Sequence, residues 1–310
     1  MIGIENSRHC RLPSLRRVLL CALLVALSAL GPFTGETARA ETVRPDLRSG
    51  DRFTILLVGL DRRQPQEYSR SDVIMLLSIE RNSRTLSLLS IPRDLWVTIP
   101  GYGWNRINAS YFLGEYYESN GPELARQTVE SVFDVPVHAV AAIDFTGFTA
   151  LINSFGGVEV LVAKTLIDNL YPTFDYGYTR IVIPAGLQHM DGATALIYAR
   201  TRHPDNDFKR MGRQQNIITS ARAGLFTDEM IVIFPLLLQR FNELVETDLT
   251  VAEQLILMRD LYLLNDVPIN ARVIEPPLVY DYVTDGGAQV LLPNWGLVRP
   301  IIGEMFGNTD

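Results

Sequence analysis

The chain has 310 residues, 47% of them hydrophobic and 20% charged, with a net charge of −7. This is globular composition, with enough apolar residues for a sizeable core, and it excludes a disordered chain. Residues 1–40 hold five of the 28 basic and two of the 35 acidic residues, which leaves 23 against 33 beyond them. A body at −10 lacks the basic footprint of a nucleic-acid binder, so any phosphate ligand must be held by a local arginine cluster.

At the N-terminus, Arg11, Arg16 and Arg17 precede an uncharged run from Val18 to Leu30, closed by Gly31-Pro32. A basic flank before an apolar run is an export signal. The run is short beside the ~20 residues of a usual span, and Ala38-Arg39-Ala40 offers a cleavage site. Cleaved signal peptide and retained single-pass membrane anchor both fit residues 1–40, and the positive-inside rule puts the body outside the cytoplasm in either case. Cys10 and Cys21 are the two cysteines, so the body has no disulfide framework and no thiolate metal site. Residues 41–50 are polar and read as a linker.

From Phe53 the pattern changes to continuous apolar runs, 53–60, 73–79 and 85–91, which predict strands covered on both faces. Pro122-Glu123 opens a helix with Leu124, Val129, Val132 and Phe133 on one stripe. A strand follows over 137–143. Asp144 is a cap for a helix ended by Gly156-Gly157, and 158–162 is strand-like. Asp191 starts a short helix, 210–225 is a longer one, and Thr250 with Glu253 forms a capping box. Late strands are expected at 271–274 and 288–292. Interspersed strands and helices predict an α/β fold with a mixed central sheet sandwiched between helices, in one ectodomain over 51–310.

No Walker loop, H-E-x-x-H or G-x-S-x-G occurs in the chain. The four histidines lack metal-ligand spacing. His138, in a strand-like run, reads as structural, and His203 as a minor contributor to a site.

Charged residues instead gather where strands end. Asp61-Arg62-Arg63 follows the first strand, Arg70-Ser71-Asp72 leads into the second, and Pro92-Arg93-Asp94 follows the third. Loops beyond strand ends are where α/β sheets bind ligands. Asp61 and Asp72 flank one connection, and one or two carboxylates plus ligand phosphates are what Mg²⁺ takes. Further on, Tyr198-Ala199-Arg200-Thr201-Arg202 sets two arginines two apart, on one side of an extended chain. On the following helix Arg210, Arg213 and Gln214 share a face, expected to lie opposite the apolar one. Arginine's planar fork matches phosphate oxygens and stays charged in a greasy site.

Several ordered runs together resemble the LytR-CpsA-Psr family. They are Arg70-Ser71-Asp72-Val73-Ile74-Met75, Leu89-Ser90-Ile91-Pro92-Arg93-Asp94, Arg106-Ile107-Asn108-Ala109-Ser110-Tyr111, Asp144-Phe145-Thr146-Gly147-Phe148, Gly156-Gly157-Val158-Glu159-Val160, the stretch 189–202, and Asp207-Phe208-Lys209-Arg210-Met211-Gly212-Arg213-Gln214-Gln215. The likeness runs from about 53 to 226. It implies a phosphotransferase that moves a polyprenyl-pyrophosphate-linked glycopolymer, such as a teichoic acid or capsule precursor, onto a peptidoglycan sugar hydroxyl and releases polyprenyl phosphate. It also implies an αβα fold with an apolar tunnel for the lipid, lined from the helices at 123–133 and 145–155. By the same likeness Asp61 and Asp72 hold Mg²⁺, or Mn²⁺ in its place. Arg93, Arg200, Arg202, Arg210 and Arg213 cradle the pyrophosphate with Gln214 as polar partner, and Asp72, Arg93, Arg200 and Arg202 carry the catalysis. The proton acceptor stays open among Asp72, Asp205 and Asp207. A metal-dependent pyrophosphatase and a non-catalytic lipid-carrier-binding regulator remain as alternatives.

Overall fold

The computed structural model describes residues 44–62, 68–173, 177–226 and 228–307. The export or anchor segment at 1–40, with both cysteines, lies outside them. The chain divides into Met1–Thr42 and a compact unit, Val43–Asp310. Among the described residues no helix is long and apolar enough to cross a membrane.

In chain order, β1 (Phe53–Leu60), β2 (Ser71–Glu80) and β3 (Thr85–Ser90) form a meander, followed by the hairpin β4 (Trp96–Ile99) and β5 (Gly103–Arg106). Helices α1 (Ala109–Glu118) and α2 (Gly121–Phe133) lead to β6 (Ala139–Asp144) and α3 (Phe145–Ser154). Four strands come next, β7 (Val158–Val162), β8 (Leu166–Pro172), β9 (Tyr178–Ile183) and β10 (Gly186–Met190). Then follow α4 (Gly192–Arg200), α5 (Asp207–Leu225), α6 (Asp228–Leu244), the short β11 (Glu246–Thr247) and α7 (Val251–Leu263). The chain closes with β12 (Asn270–Val273), the hairpin β13 (Val279–Val283) and β14 (Gln289–Pro293), and α8 (Trp295–Phe306).

The central sheet has six strands in the order β11-β6-β1-β2-β3-β12. β1 runs antiparallel to β2 but parallel to β6, and β3 is antiparallel to β2 but parallel to β12. The mixed sheet predicted from the sequence is therefore present. Its continuous apolar runs have the expected cause. On β1, Leu56, Val58 and Leu60 enter one core with α2 and α8, while Phe53, Ile55 and Leu57 enter a second with α6 and α7. Leu56, Leu76, Leu88 and Leu89 are wholly buried, each contributing roughly 1.5–3 kcal/mol of transfer free energy. A third core lies between α3, α4, α5 and the strands β7 to β10.

The predicted caps form. Asp144 Oδ1 accepts from Gly147 N at 2.7 Å and Asp191 Oδ1 from Thr194 N at 2.8 Å. The capping box of Thr250 and Glu253 is complete. At Gly192, α4 starts against the backbone of α3 so closely that a Cβ would stand 2.1 Å from the Thr149 carbonyl oxygen, which explains the glycine. The stretch expected as a linker is tied down over its described part. Arg44 pairs with Asp248 and Glu253, and Leu47 is buried in the second core.

One expectation changes. Leu124 and Val129 of α2 pack into the first core, whereas Leu151 of α3 packs against the second. Those helices cover opposite faces of the sheet and cannot line one common tunnel. The less closed face is the second. There Leu57, Leu77 and Ile143, on central strands, are only half-buried beneath Leu151, Phe241 and Ile256.

Candidate active site

The site starts at a defect in the sheet. Gly59 pairs with Val73 and Leu60 with Ser71, so Asp72 is left without a partner in the register. Such a bulge re-aims a side chain at a strand end, and the Asp72 carboxylate enters a cleft of about 440 Å³ lined by Asp61, Tyr68, Arg70, Arg93, Asp94, Arg106 and Asn108 among others. The loop after β3 is held by backbone bonds, Asn108 N to Arg93 O (3.2 Å) and Ile107 N to Leu95 O (2.8 Å). That fixes Arg93, whose Nη1 donates to Asp72 Oδ1 at 2.6 Å. Burial works to lower the Arg93 pKa, but Asp72, Asp207 and Asp94 together raise it above the ordinary value. Its charge is locked in. Asp94 also faces Arg106 at 3.2 Å.

The second half of the site is the corner between α4 and α5. Helix α4 runs through Arg200, so Arg200 and Arg202 straddle a helix end instead of alternating along an extended chain as expected. The Arg200 guanidinium lies 4.4 Å over the Phe145 ring and donates to the Tyr171 hydroxyl at 3.2 Å. Arg202 is exposed. Asn206 caps α5, its Oδ1 accepting from Lys209 N at 2.9 Å, and this presents Asp207 and Arg210 in the first turn.

The two halves meet at Asp207. Its carboxylate is 2.9 Å from Arg210 and 4.0 Å from Arg93. Arg210 is 4% exposed, and burial lowers its pKa against the pull of Asp207, with Arg93, Asp72 and Arg202 also within electrostatic reach. The buried Nε–H of Arg210 has no hydrogen-bond acceptor, while those of Arg93 and Arg106 make no aligned hydrogen bond but lie 3.6 and 3.2 Å from the Asp94 carboxylate. Unsatisfied buried donors are rare, and the open donor of Arg210, with Arg93 across Asp207, suits an anionic ligand.

The face shared by Arg210, Arg213 and Gln214 is not opposite the apolar side of α5. All three are buried, alongside Met211 and Ile217. Arg213 and Gln214 are also engaged by their own chain. Arg213 donates to Tyr198 O (3.1 Å), to Asp205 Oδ2 (2.6 Å) and to Thr201 O, and Gln214 Nε2 donates to Ala199 O at 3.1 Å. Both brace the α4–α5 corner. Asp205 is spent on Arg213, so of the three open proton acceptors only Asp72 and Asp207 share the neighbourhood of Arg93.

Three participants have no individual role assigned from the sequence. Arg106 lines the cleft and donates to Gln289 O at 2.8 Å. Gln215 donates to Ser90 Oγ (2.8 Å) and Arg272 O (2.7 Å), tying α5 to the sheet end. Asp168, with a wholly buried side chain, holds His203 Nδ1 at 3.0 Å. Its signal was an acid on the inward face of the alternating strand β8. His138 is structural, as read: Thr54 N donates to its Nδ1 at 2.9 Å, and burial, with Arg44 nearby, pushes its pKa down to about 4.

Among the described residues no group of three or more His, Cys, Asp or Glu is arranged to hold a metal ion. Asp61 and Asp72 do line one cleft. Two hard carboxylates in one cleft are of the type that suits Mg²⁺ or Mn²⁺, which complete their shells with water and phosphate oxygens, although Asp72 Oδ1 is engaged by Arg93.

Known proteins share this arrangement of elements. Polyisoprenyl-teichoic acid–peptidoglycan teichoic acid transferase TagT of Bacillus subtilis strain 168 is 33% identical over 174 residues, 55% of this chain and 52% of that protein. Regulatory protein MsrR of Staphylococcus aureus strain COL is 30% identical over 192 residues, 61% of this chain and 54% of that protein. The chain thus spans about half the length of the curated relatives it matches. The crystal structure of B. subtilis TagV superposes with a TM-score of 0.69 at 26% identity, covering 84% of this chain and 99% of that one. The LytR_cpsA_psr family profile matches residues 33–275, well over half of the sequence, and the chain belongs to that family.

Proposed function

We propose that this chain is an extracytoplasmic phosphotransferase that moves a glycopolymer from a polyprenyl pyrophosphate onto a peptidoglycan sugar hydroxyl. One observation carries the reading: the buried Arg210, with an Nε–H that has no acceptor, stands with Arg93 around the carboxylates of Asp72 and Asp207. A pyrophosphate has the oxygen that the Arg210 donor lacks, and phosphoryl transfer needs charge neutralisation more than covalent help. The likeness to a named teichoic acid transferase supports the same substrate class.

Arg93, Arg200, Arg202 and Arg210 bind the pyrophosphate. Arg213 and Gln214 position them by holding the corner. The acceptor hydroxyl oxygen bonds to the sugar-linked phosphorus, and the bond to the leaving polyprenyl phosphate breaks with its electron pair. The hydroxyl proton passes to Asp72 or Asp207. Asp61 and Asp72 would hold Mg²⁺ or Mn²⁺, which when bound offsets negative charge on the phosphates. The lipid lies on the less closed sheet face, along Leu57, Leu77, Leu151 and Phe241. The apolar run of residues 18–30 delivers the body outside the cytoplasm, either held as a single-pass anchor or cleaved after Ala40.

The test is purified protein with lipid-pyrophosphate-linked polymer, Mg²⁺ and wall oligosaccharide. Conjugate and polyprenyl phosphate should appear in equal amounts. Free polymer phosphate without conjugate makes the protein a hydrolase. The likeness to MsrR, named a regulatory protein, favours a second reading, a lipid-carrier-binding regulator, which predicts tight donor binding with no turnover.

A further inference from the structure

From the structure we infer that an exposed run of aromatic rings beside the cleft is the subsite for the uncharged acceptor glycan; the inference rests on the transferase reading. Tyr68 lines the cleft together with Asp61, Asp72 and Arg93. Its ring meets Tyr116 at 5.2 Å, Tyr116 meets Tyr117 at 4.7 Å, and Tyr117 meets Tyr102 at 5.8 Å. Phe112 stacks beneath Tyr116 at 5.7 Å. Tyr116 packs edge to face against both Tyr68 and Tyr117, at 78 and 82°, so the rings form one connected surface from the cleft-lining Tyr68 to Tyr102. Tyr68, Tyr116 and Tyr117 are 52, 53 and 65% exposed. Trp104, 63% exposed, shares the face of β5 with Arg106, which also lines the cleft.

A folded protein gains nothing by leaving so many large rings in water, and a contiguous exposed patch of this kind marks a binding surface. Aromatic faces carry partial negative charge and take the C–H faces of pyranose rings, while the tyrosine hydroxyls bond sugar hydroxyls. Charge decides which saccharide fits. No lysine or arginine occurs between residues 107 and 125. The local charges are Glu115, paired with Arg62, and Glu118, which accepts from the Tyr102 hydroxyl at 2.9 Å. On α1 a polyol-phosphate or other anionic polymer meets only carboxylates, and Arg62 and Arg106 beside it are paired with Glu115 and Asp94, whereas a neutral amino-sugar backbone needs no cation. Direction agrees. In-line displacement brings the acceptor from the side opposite the leaving lipid phosphate. The rings extend from α1, whose Ala109 and Tyr111 pack in the first core, while the lipid is assigned to the second.

The experiment pairs kinetics with direct binding. Tyr117→Ala and Trp104→Ala remove exposed rings, so melting temperatures should stay at wild type. Each should raise the acceptor KM roughly five- to tenfold, with donor KM and kcat at saturating acceptor unchanged, and Tyr117→Trp should restore the wild-type KM. By calorimetry, chitotetraose should bind the wild type and lose affinity in the alanine variants, while a glycerol-phosphate oligomer should not bind there. If both variants keep the acceptor KM within twofold, or if the anionic oligomer binds this surface and chitotetraose does not, the inference is overturned while the transferase reading stands. If the wild type forms no conjugate at all, the transferase reading falls, and chitotetraose binding still reports whether the rings hold sugar.

Discussion

Arg210 and Arg213 stand three residues apart on α5 and are buried to a similar degree, at 4 and 6% exposure, yet their surroundings differ. Arg213 is saturated by Tyr198 O, Thr201 O and Asp205, all from its own corner. Arg210 has one carboxylate partner, Asp207, an Nε–H with no acceptor, and a pKa lowered by burial. Burying an ion pair stabilises only when its hydrogen bonds are complete. The first arginine therefore serves the fold. The second costs the fold something and is held ready for a ligand. The contrast separates brace from site where residue type and burial alone do not.

The contrast is broken most directly at Arg213. Arg213→Ala strands Asp205 and two backbone carbonyls, and the loss should be about 3–5 kcal/mol of stability, read as a fall in the urea midpoint. A variant that melts like wild type would mean that Arg213 does not brace the corner. Arg210→Met should behave in the opposite way. Stability should hold or rise, because an under-satisfied cation is replaced by an apolar chain of similar reach. Transfer should fall roughly 10²–10³-fold, the range for losing one donor to a developing charge. Wild-type turnover in that variant would remove Arg210 from the site.

How much of this was legible in the sequence follows the same line. The strands at 53–60, 73–79 and 85–91 were readable because burial on both faces leaves a continuous apolar run. The caps at Asp144, Asp191 and Thr250 were readable because their chemistry is local. The hairpins of β4–β5 and β8–β9 and helices α6 and α8 were not. The helices carry Pro235 and Pro300 inside them, and the hairpins expose apolar residues such as Ile167 and Val182, which blurs alternation. The site residues were legible as types, since an arginine cluster in an acidic body is conspicuous. Their division into ligand-facing and bracing groups was not. It depends on where backbone carbonyls such as Tyr198 O fall after folding, and residue spacing does not encode that. Gln215, which reaches Ser90 Oγ and Arg272 O, was hidden for the same reason.

His138 sharpens the comparison from the side of protonation. It is satisfied only as the neutral ring, because its Nδ1 accepts from Thr54 N. Its folded pKa, about 4, lies below the ~6.5 of an unfolded chain. The unfolded state therefore binds the extra proton first as pH falls. Stability from the neutral ring is complete above about 6.5 and is lost progressively down to about 4, by up to roughly 3 kcal/mol before solvent screening reduces it. His138→Asn keeps an acceptor that does not titrate in this range, so its stability should vary less between those pH values. Equal slopes for variant and wild type in chemical denaturation would show that His138 is not the group responsible.

Arg200 falls between the two arginines of α5, and the smallest effect is expected there. Its guanidinium is part spent, on the Tyr171 hydroxyl and the Phe145 ring, and part open. Burial raises the Tyr171 pKa, so the phenol stays neutral through the working range and the contact does not change with pH. Lysine keeps the charge but loses the planar fork and most of the ring contact. Arg200→Lys should therefore retain the fold and lose about 1–2 kcal/mol of transition-state stabilisation, a five- to thirtyfold fall in kcat/KM. A loss as deep as that of Arg210→Met would mean that Arg200 makes a two-pronged contact with the phosphates that its position over Phe145 does not reveal. No loss would mean that the Tyr171 contact is only a brace, and Arg200 would then belong with Arg213.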